Sequence, residues 1–357
     1  PPILISNVEV VSSNSLDVEF NKNYDSASLD NSDFTITPGN VNPNSISQTA
    51  SNTLRLNFAE TLPSGSFQLE ITNIEDENNE ATLADTSFTL VRFDTFTSGD
   101  IVINEFLKDP PGSLEEYVEL KNTSSKFLNL RNWKLGDNNS LSTLTNHDFA
   151  IYPDSFVVIT SDSAAIKNVF GNISVIQVSL PAFNNTTDQV RVYDVVDNLV
   201  DSLEYTPDWG GVDVAVERRS ATAPSRFIEN WGDSPNALGG TAGQENEVEQ
   251  DVTAPTLSSY DIINDSTIVL NFSELINAYY ASNTNNVESG SLDILNQSDI
   301  FGNINPSISQ PFQYIQTEIA QPGDVFINEF VYDPPSSLSE FVEIYNPTNK
   351  VFNLKGW

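Results

Sequence analysis

The chain has 357 residues, more than one typical domain holds, so two to four domains are expected. Hydrophobic residues make up 38% and aromatic residues 10%, which is enough apolar mass for real cores and argues against wholesale disorder. Fifteen basic residues against 50 acidic ones give a net charge of −35, a surface that repels phosphate backbones and anionic lipid and so argues against nucleic-acid and membrane partners.

Taken in chain order, the elements read as strands. LDVEF at 16–20, LRLNF at 54–58 and FQLEI at 67–71 alternate apolar and polar residues with the period of a half-buried strand. TPGN at 37–40 between them is turn chemistry. DTFTSG at 94–99 reads as a linker. YVEL at 117–120, FVVI at 156–159 and VRVY at 190–193 are rich in β-branched and aromatic residues and read as further strands. SAAIKNV at 163–169 is the one stretch with helical character. GQENEVEQDVT at 243–253 is a polar, acidic linker, and QPG at 321–323 marks another joint. Short strands separated by Asn, Asp, Ser, Gly and Pro predict an all-β chain of sandwiches.

The chain also repeats itself. DIVINEFLKDPPGSLEEYVELKNTSSKFLNLRNW at 100–133 matches DVFINEFVYDPPSSLSEFVEIYNPTNKVFNLKGW at 324–357 without a gap, with 18 of 34 positions identical. A weaker match joins 2–21 to 255–274, so the order is A–B–A′–B′. Phe20 matches Phe272 at an offset of 252, whereas Ile71 matches Ile294 at 223, so A′ lacks about 29 residues, or two to three strands. The 34 residues of B′ are too few for an independent core. A′ (254–320) and B′ (324–357) are therefore expected to be incomplete sandwiches with open strand edges, beside complete ones at 1–94 and 100–246. Because the sequence contains no methionine, even at position 1, the chain is expected to start partway through a longer reading frame or after processing.

Several separated motifs of segment B resemble the lamin-tail domain of bacterial surface proteins. They are INE…DPP…EYVELKN from 103, NLRNWKLGD at 129–137, YPDSFVVI at 152–159 and DQVRVYD at 188–194. VERRS at 216–220, ENW at 229–231 and GGTAG at 239–243 complete the set; relatives commonly read GGTPG, so Ala242 departs from the pattern. The resemblance spans 100–246 and implies an immunoglobulin-like β-sandwich. Segments A and A′ resemble the immunoglobulin-like modules of surface-layer and adhesin-type proteins, through DVTAPT at 251–256, VLNFSE at 269–274, NIEDENN at 73–79 and NQSDIFGN at 296–303.

The carboxylates of 103–122 admit two readings. Calcium takes several carboxylate or carbonyl oxygens, and Glu105, Asp109 and Glu116 converge if their strands flank the Asp-Pro-Pro turn at 109–111. Glu119 completes that set, and the repeat conserves it as Glu329, Asp333, Glu340 and Glu343, while Glu115 becomes Ser339. In the other reading Glu105 and Glu119 bond to backbone or pair with Lys and Arg, and Asp109 caps a turn, so that the four mark the opening of a domain. The second reading is preferred, and Ca2+ is kept as a candidate cofactor with no other cofactor expected.

Catalytic chemistry finds little to work with. There is no cysteine, and His147, the single histidine, reads as a surface residue with no second ligand for zinc and no triad. No phosphate-binding or nucleophile-elbow motif occurs. Trp133, Trp231 and Trp357 are expected in sandwich cores, and Trp209, in the turn-rich PDWGG at 207–211, is the candidate ligand contact. The sequence thus predicts tandem immunoglobulin-like sandwiches without an active site: a structural or adhesive spacer or docking segment of an exported bacterial surface protein. Its partners would be other domains of the same long chain and cell-surface or matrix components, with no membrane insertion. An alternative makes these modules accessories of a secreted nuclease, protease or phosphatase whose catalytic domain lies elsewhere.

Overall fold

A computed structural model describes residues 3–76, 78, 86–112, 114–264, 267–283, 289–313, 317–335, 337 and 339–357, with only the backbone of 278–283, 289–290 and 313. The chain forms two compact units, 1–250 and 251–357. Among the described residues no helix is long and apolar enough to cross a membrane.

The first unit holds two sandwiches. In the first, Ile5–Ser12, Ser15–Phe20, Thr53–Asn57 and Ser45–Ala50 form one sheet in that order, and Phe34–Thr37, Gly65–Ile71 and Thr86–Arg92 form the other. Leu16, Val18, Leu54 and Leu56 from one sheet share a buried cluster with Phe34, Ile36, Phe67, Leu69 and Ile71 from the other. The alternation in the sequence is the cause: each inward apolar residue is followed by an outward polar one, as in the strictly alternating burial of Gly65–Ile71.

The second sandwich pairs six strands against four. The larger sheet runs Val175–Gln177, Phe156–Thr160, Tyr117–Asn122, Ile101–Leu107, Val216–Arg218, Trp231–Asp233. The smaller runs Leu141–Thr143, Lys134–Gly136, Asp188–Tyr193, Leu199–Tyr205. Ile101, Ile103, Phe106, Val118, Leu120, Val157 and Ile159 meet Leu135, Val190, Val192 and Leu203 in the core between them. A register shift between Ile103 and Glu105 rephases the first strand, so Glu105 and Leu107 turn to the opposite face of the sheet. That face is covered too. Leu107, Tyr117 and Val158 pack there with Ile166 and Phe170 of the helix Ser163–Phe170 and with Ala215 and Ala242. The helix starts at Asp162, whose side chain accepts from the Ala164 and Ala165 amides, and stops at Gly171 with φ +85°.

The segment 94–99 is tied down, in contrast to the linker its composition predicts. Asp94 ion-pairs with Arg92 at 2.8 Å and exchanges backbone and side-chain bonds with Phe127, while Phe96 meets Trp133 edge-on at 5.0 Å. An aromatic ring and a carboxylate with a cationic partner next to it outweigh the small polar residues around them.

In the second unit Leu257–Asn264 pairs with Thr267–Phe272, and Ile276–Asn283, Ser289–Asp299 and Ile304–Gln313 form a separate sheet. No strands equivalent to Ser45–Ala50 and Thr53–Asn57 occur among the described residues. Apart from Pro255, only Leu292, Ile294 and Ile300 are buried apolar side chains there among the described residues. The repeat hairpin, Phe326–Val331 with Phe341–Tyr345, leaves Phe326, Ile327, Phe330, Phe341 and Val342 exposed. Trp357, expected in a core like Trp133, is 65% exposed, because no second sheet covers its hairpin among the described residues. The protein is all-β, built of tandem immunoglobulin-like sandwiches of which the later ones are incomplete among the described residues.

Candidate functional site: a row of buried glutamates

Pairing in the six-stranded sheet sets Glu217 opposite Glu105, and Glu105 opposite Glu119. Three glutamates from three neighbouring strands thus stand in a row on the outer face of the sheet, and all are fully buried. The cover is the segment 239–248, laid across the sheet.

Every oxygen of the row is taken by this chain. Glu105 accepts from the Tyr117 hydroxyl and from the Thr241 amide at 3.1 and 3.2 Å. Thr241 Oγ1 lies 2.6 Å from Glu105 Oε2 and 3.0 Å from Glu217 Oε1. Glu217 Oε2 accepts from the amides of Glu247 and Val248, both at 2.7 Å. Glu119 accepts from Asn104 Nδ2 at 2.8 Å and from the Gly243 amide. Asn246 adds bonds to the carbonyls of Asn104, at 3.0 Å, and Arg218, at 2.7 Å. Gly240 is required by this fit: a Cβ there would lie 2.7 Å from Glu105 Oε1.

A hydroxyl carries one hydrogen, so Thr241 cannot donate to both Glu105 and Glu217, and with that hydrogen on Glu217 a protonated Glu105 would complete the second bond. The electrostatics agree. Burial, with the Glu217 charge adding to it, pushes the Glu105 carboxyl up to about 7 against the hydrogen bonds from Thr241 and Tyr117. Burial and then the Glu105 charge raise Glu119 well above the usual carboxylate range. Basic side chains near the row go elsewhere: Arg218 to Asp201 at 2.8 Å and Lys121 to Glu245 at 2.7 Å. The glutamates are therefore held by N–H and O–H donors rather than by Lys or Arg.

The structure separates the four carboxylates singled out in the sequence into two pairs. Glu105 and Glu119 face the 239–248 segment. Asp109 accepts from Asn185 Nδ2 at 2.6 Å and Glu116 from the Phe183 amide at 3.1 Å, so both face the loop at 183–188. Burial raises Glu116 above its usual range, and the charges of Glu115, Asp188 and Asp109 add to it. Glu329, Asp333, Glu340 and Glu343 are exposed, although Asn328 bonds to Glu343 as Asn104 does to Glu119. Among the described residues, none of these eight belongs to a group of three acidic ligand atoms within 4.8 Å of one another. Trp209, the candidate ligand contact, is 7% exposed: the short 3-10 turn Pro207–Trp209 turns its ring onto Trp231, 6.0 Å away. Glu217 was missed because a three-residue strand carries no readable alternation; its one sequence signal was a glutamate between Val216 and two arginines. His147 is exposed, and Asp194 caps its hairpin turn by accepting from the Val196 and Asn198 amides. The end of the acidic run at 76–79 lies outside the described residues.

Two facing sheets with a repeated opening hairpin define a tandem immunoglobulin-like β-sandwich protein. Residues 94–207 and 318–357 match the family model of the Lamin Tail Domain. No curated protein sequence matches the chain significantly. Among solved structures it is similar to the N-terminal part of the bacterial S-layer protein SbsC, at 15% identity and a TM-score of 0.25 over 58% of this chain and 44% of that one. Domains 1–6 of the surface layer protein SbsC align at 11% identity and a TM-score of 0.24, over 97% of this chain and 63% of the other. The chain thus spans less than two thirds of the length of either.

Proposed function

We propose that the chain is a non-catalytic structural segment of an exported bacterial surface protein, built of modules at 1–94, 100–246, 254–320 and 324–357, which spaces or docks the domains around it. The observation that carries this reading is the use of the buried glutamates: their oxygens are spent on holding the 239–248 segment, leaving no open position for a substrate. The family-model match in both copies of the repeat supports a modular role. The cell surface is the proposed location, and the net charge of −35 suits an exposed, hydrated segment. Antibodies against 1–250 should label intact cells of the source organism. Labelling only after lysis, or a catalytic domain in the same reading frame, would overturn the reading.

A further inference from the structure

Asp251, Glu274 and Asp299, all in the second unit, each place a carboxylate oxygen within 4.8 Å of the others. Asp299 is fully buried and the other two half-buried. Asp299 is fixed by the Phe301 and Asn303 amides at 2.8 and 2.9 Å and by Asn303 Nδ2 at 2.8 Å. Asn303 Nδ2 also reaches the Asp251 carbonyl at 3.0 Å, which ties the two acidic residues together.

A second observation comes from Gln297. It is fully buried, and neither its amide oxygen nor its nitrogen has a hydrogen-bond partner among the described residues. It stands two residues before Asp299 on Ser289–Asp299, and Ser298 between them is half-buried. Side chains two apart on a strand share a face at roughly 7 Å, a span a glutamine covers. A fully buried amide is costly while its oxygen lacks a donor or cation and its nitrogen lacks an acceptor.

A third comes from the repeat within the chain. Leu257 pairs with Phe272 as Ile5 pairs with Phe20, and the amides of Thr256 and Leu4 bond to the side chains of Ser273 and Asn21. Glu274 therefore stands where the first module has Lys22. Asn296 and Asn73 share φ 54°, which sets Gln297 where the first module has Ile74 and Asp299 where it has Asp76. In that module Lys22 ion-pairs with the buried Asp76, and Ile74 is fully buried. The second module thus replaces the ammonium with a third carboxylate and the isoleucine with an amide. Its unit contains two lysines, Lys350 and Lys355, and no arginine, and Lys350 is paired with Asp324 at 3.0 Å.

We propose that Asp251, Glu274 and Asp299 bind a divalent cation of the calcium class, with the Gln297 amide oxygen as a further ligand, where the first module has an internal ammonium. An all-oxygen set suits a hard cation, and water or backbone oxygens complete the roughly six to eight positions calcium takes. Burial raises the Glu274 carboxyl, and the charges of Asp251 and Asp299 raise it further, which is the repulsion a cation would relieve. The inference does not depend on the spacer reading.

Calcium titration of the full chain after chelator treatment tests it, by equilibrium dialysis and calorimetry with Ca2+ alone. Wild type should bind an ion with a dissociation constant of about 1 mM or tighter. Glu274→Lys, which installs the ion pair of the first module, should bind one ion fewer while unfolding at no lower a temperature than metal-free wild type. Asp251→Asn should weaken binding at least about tenfold, and Gln297→Ile should weaken it by a smaller factor. Equal calcium stoichiometry in wild type and Glu274→Lys, or no binding to wild type below about 10 mM, would overturn the proposal.

Discussion

Thr241 has a single hydroxyl hydrogen for two carboxyls, Glu105 and Glu217, and this sets how the second sandwich should respond to pH. The Glu105 carboxyl stands at about 7 in the folded chain against an ordinary 4.5. A raised carboxyl favours the folded state while it holds its proton, so its contribution is complete below about 4.5 and is lost as pH rises through about 7. Glu119 is shifted in the same direction. The sandwich should therefore lose on the order of a few kcal/mol between about pH 5 and pH 8. Trp133, Trp209 and Trp231 are all buried in it, so their fluorescence during urea unfolding reads the loss. Glu105→Gln keeps a donor for Thr241 and removes the titrating proton; its stability should be flatter across that window. An unchanged slope in the variant would place the proton elsewhere.

Two copies of one hairpin show what a strand pair owes to its surroundings. Ile101–Leu107 and Tyr117–Asn122 are buried almost throughout, while Phe326–Val331 and Phe341–Tyr345 are almost wholly exposed. Amide exchange should be at least about 100-fold slower in the first pair than in the second. Equal protection would mean that the second hairpin has found a cover of its own. Much of this architecture was legible in the sequence. LDVEF, FQLEI and VRVY announced strands because one face of each is apolar, and the gapless repeat announced that a second segment opens like the first. The glutamate row was only partly legible. Glu105 and Glu119 were visible as a pair, but Glu217 joins them through the register of a strand about 100 residues away, which no local pattern encodes. The same holds for Asp251, Glu274 and Asp299, which come from an irregular segment, the bend after one strand and the last residue of another. The direction of the Trp209 ring was not legible, because Gly and Pro around a tryptophan signal a turn without saying which way the ring points.

Among the described residues of the whole molecule the buried apolar side chains are unevenly divided: two extensive cores lie within 1–250, and few lie in 251–357. Within the second sandwich the chain enters the sheet at Ile101 and leaves across it through 241–248, bound to side chains of three adjoining strands. Tension applied along the polypeptide would therefore reach the carboxylate bonds of Thr241, Gly243, Glu247 and Val248 before it could peel the edge strand Trp231–Asp233. The glutamate row is placed to act as a mechanical clasp, with its load shared among several bonds at once. In single-molecule extension, Glu217→Gln should lower the rupture force of this sandwich and leave that of the first one unchanged. An unaltered force would show that the load travels by another route.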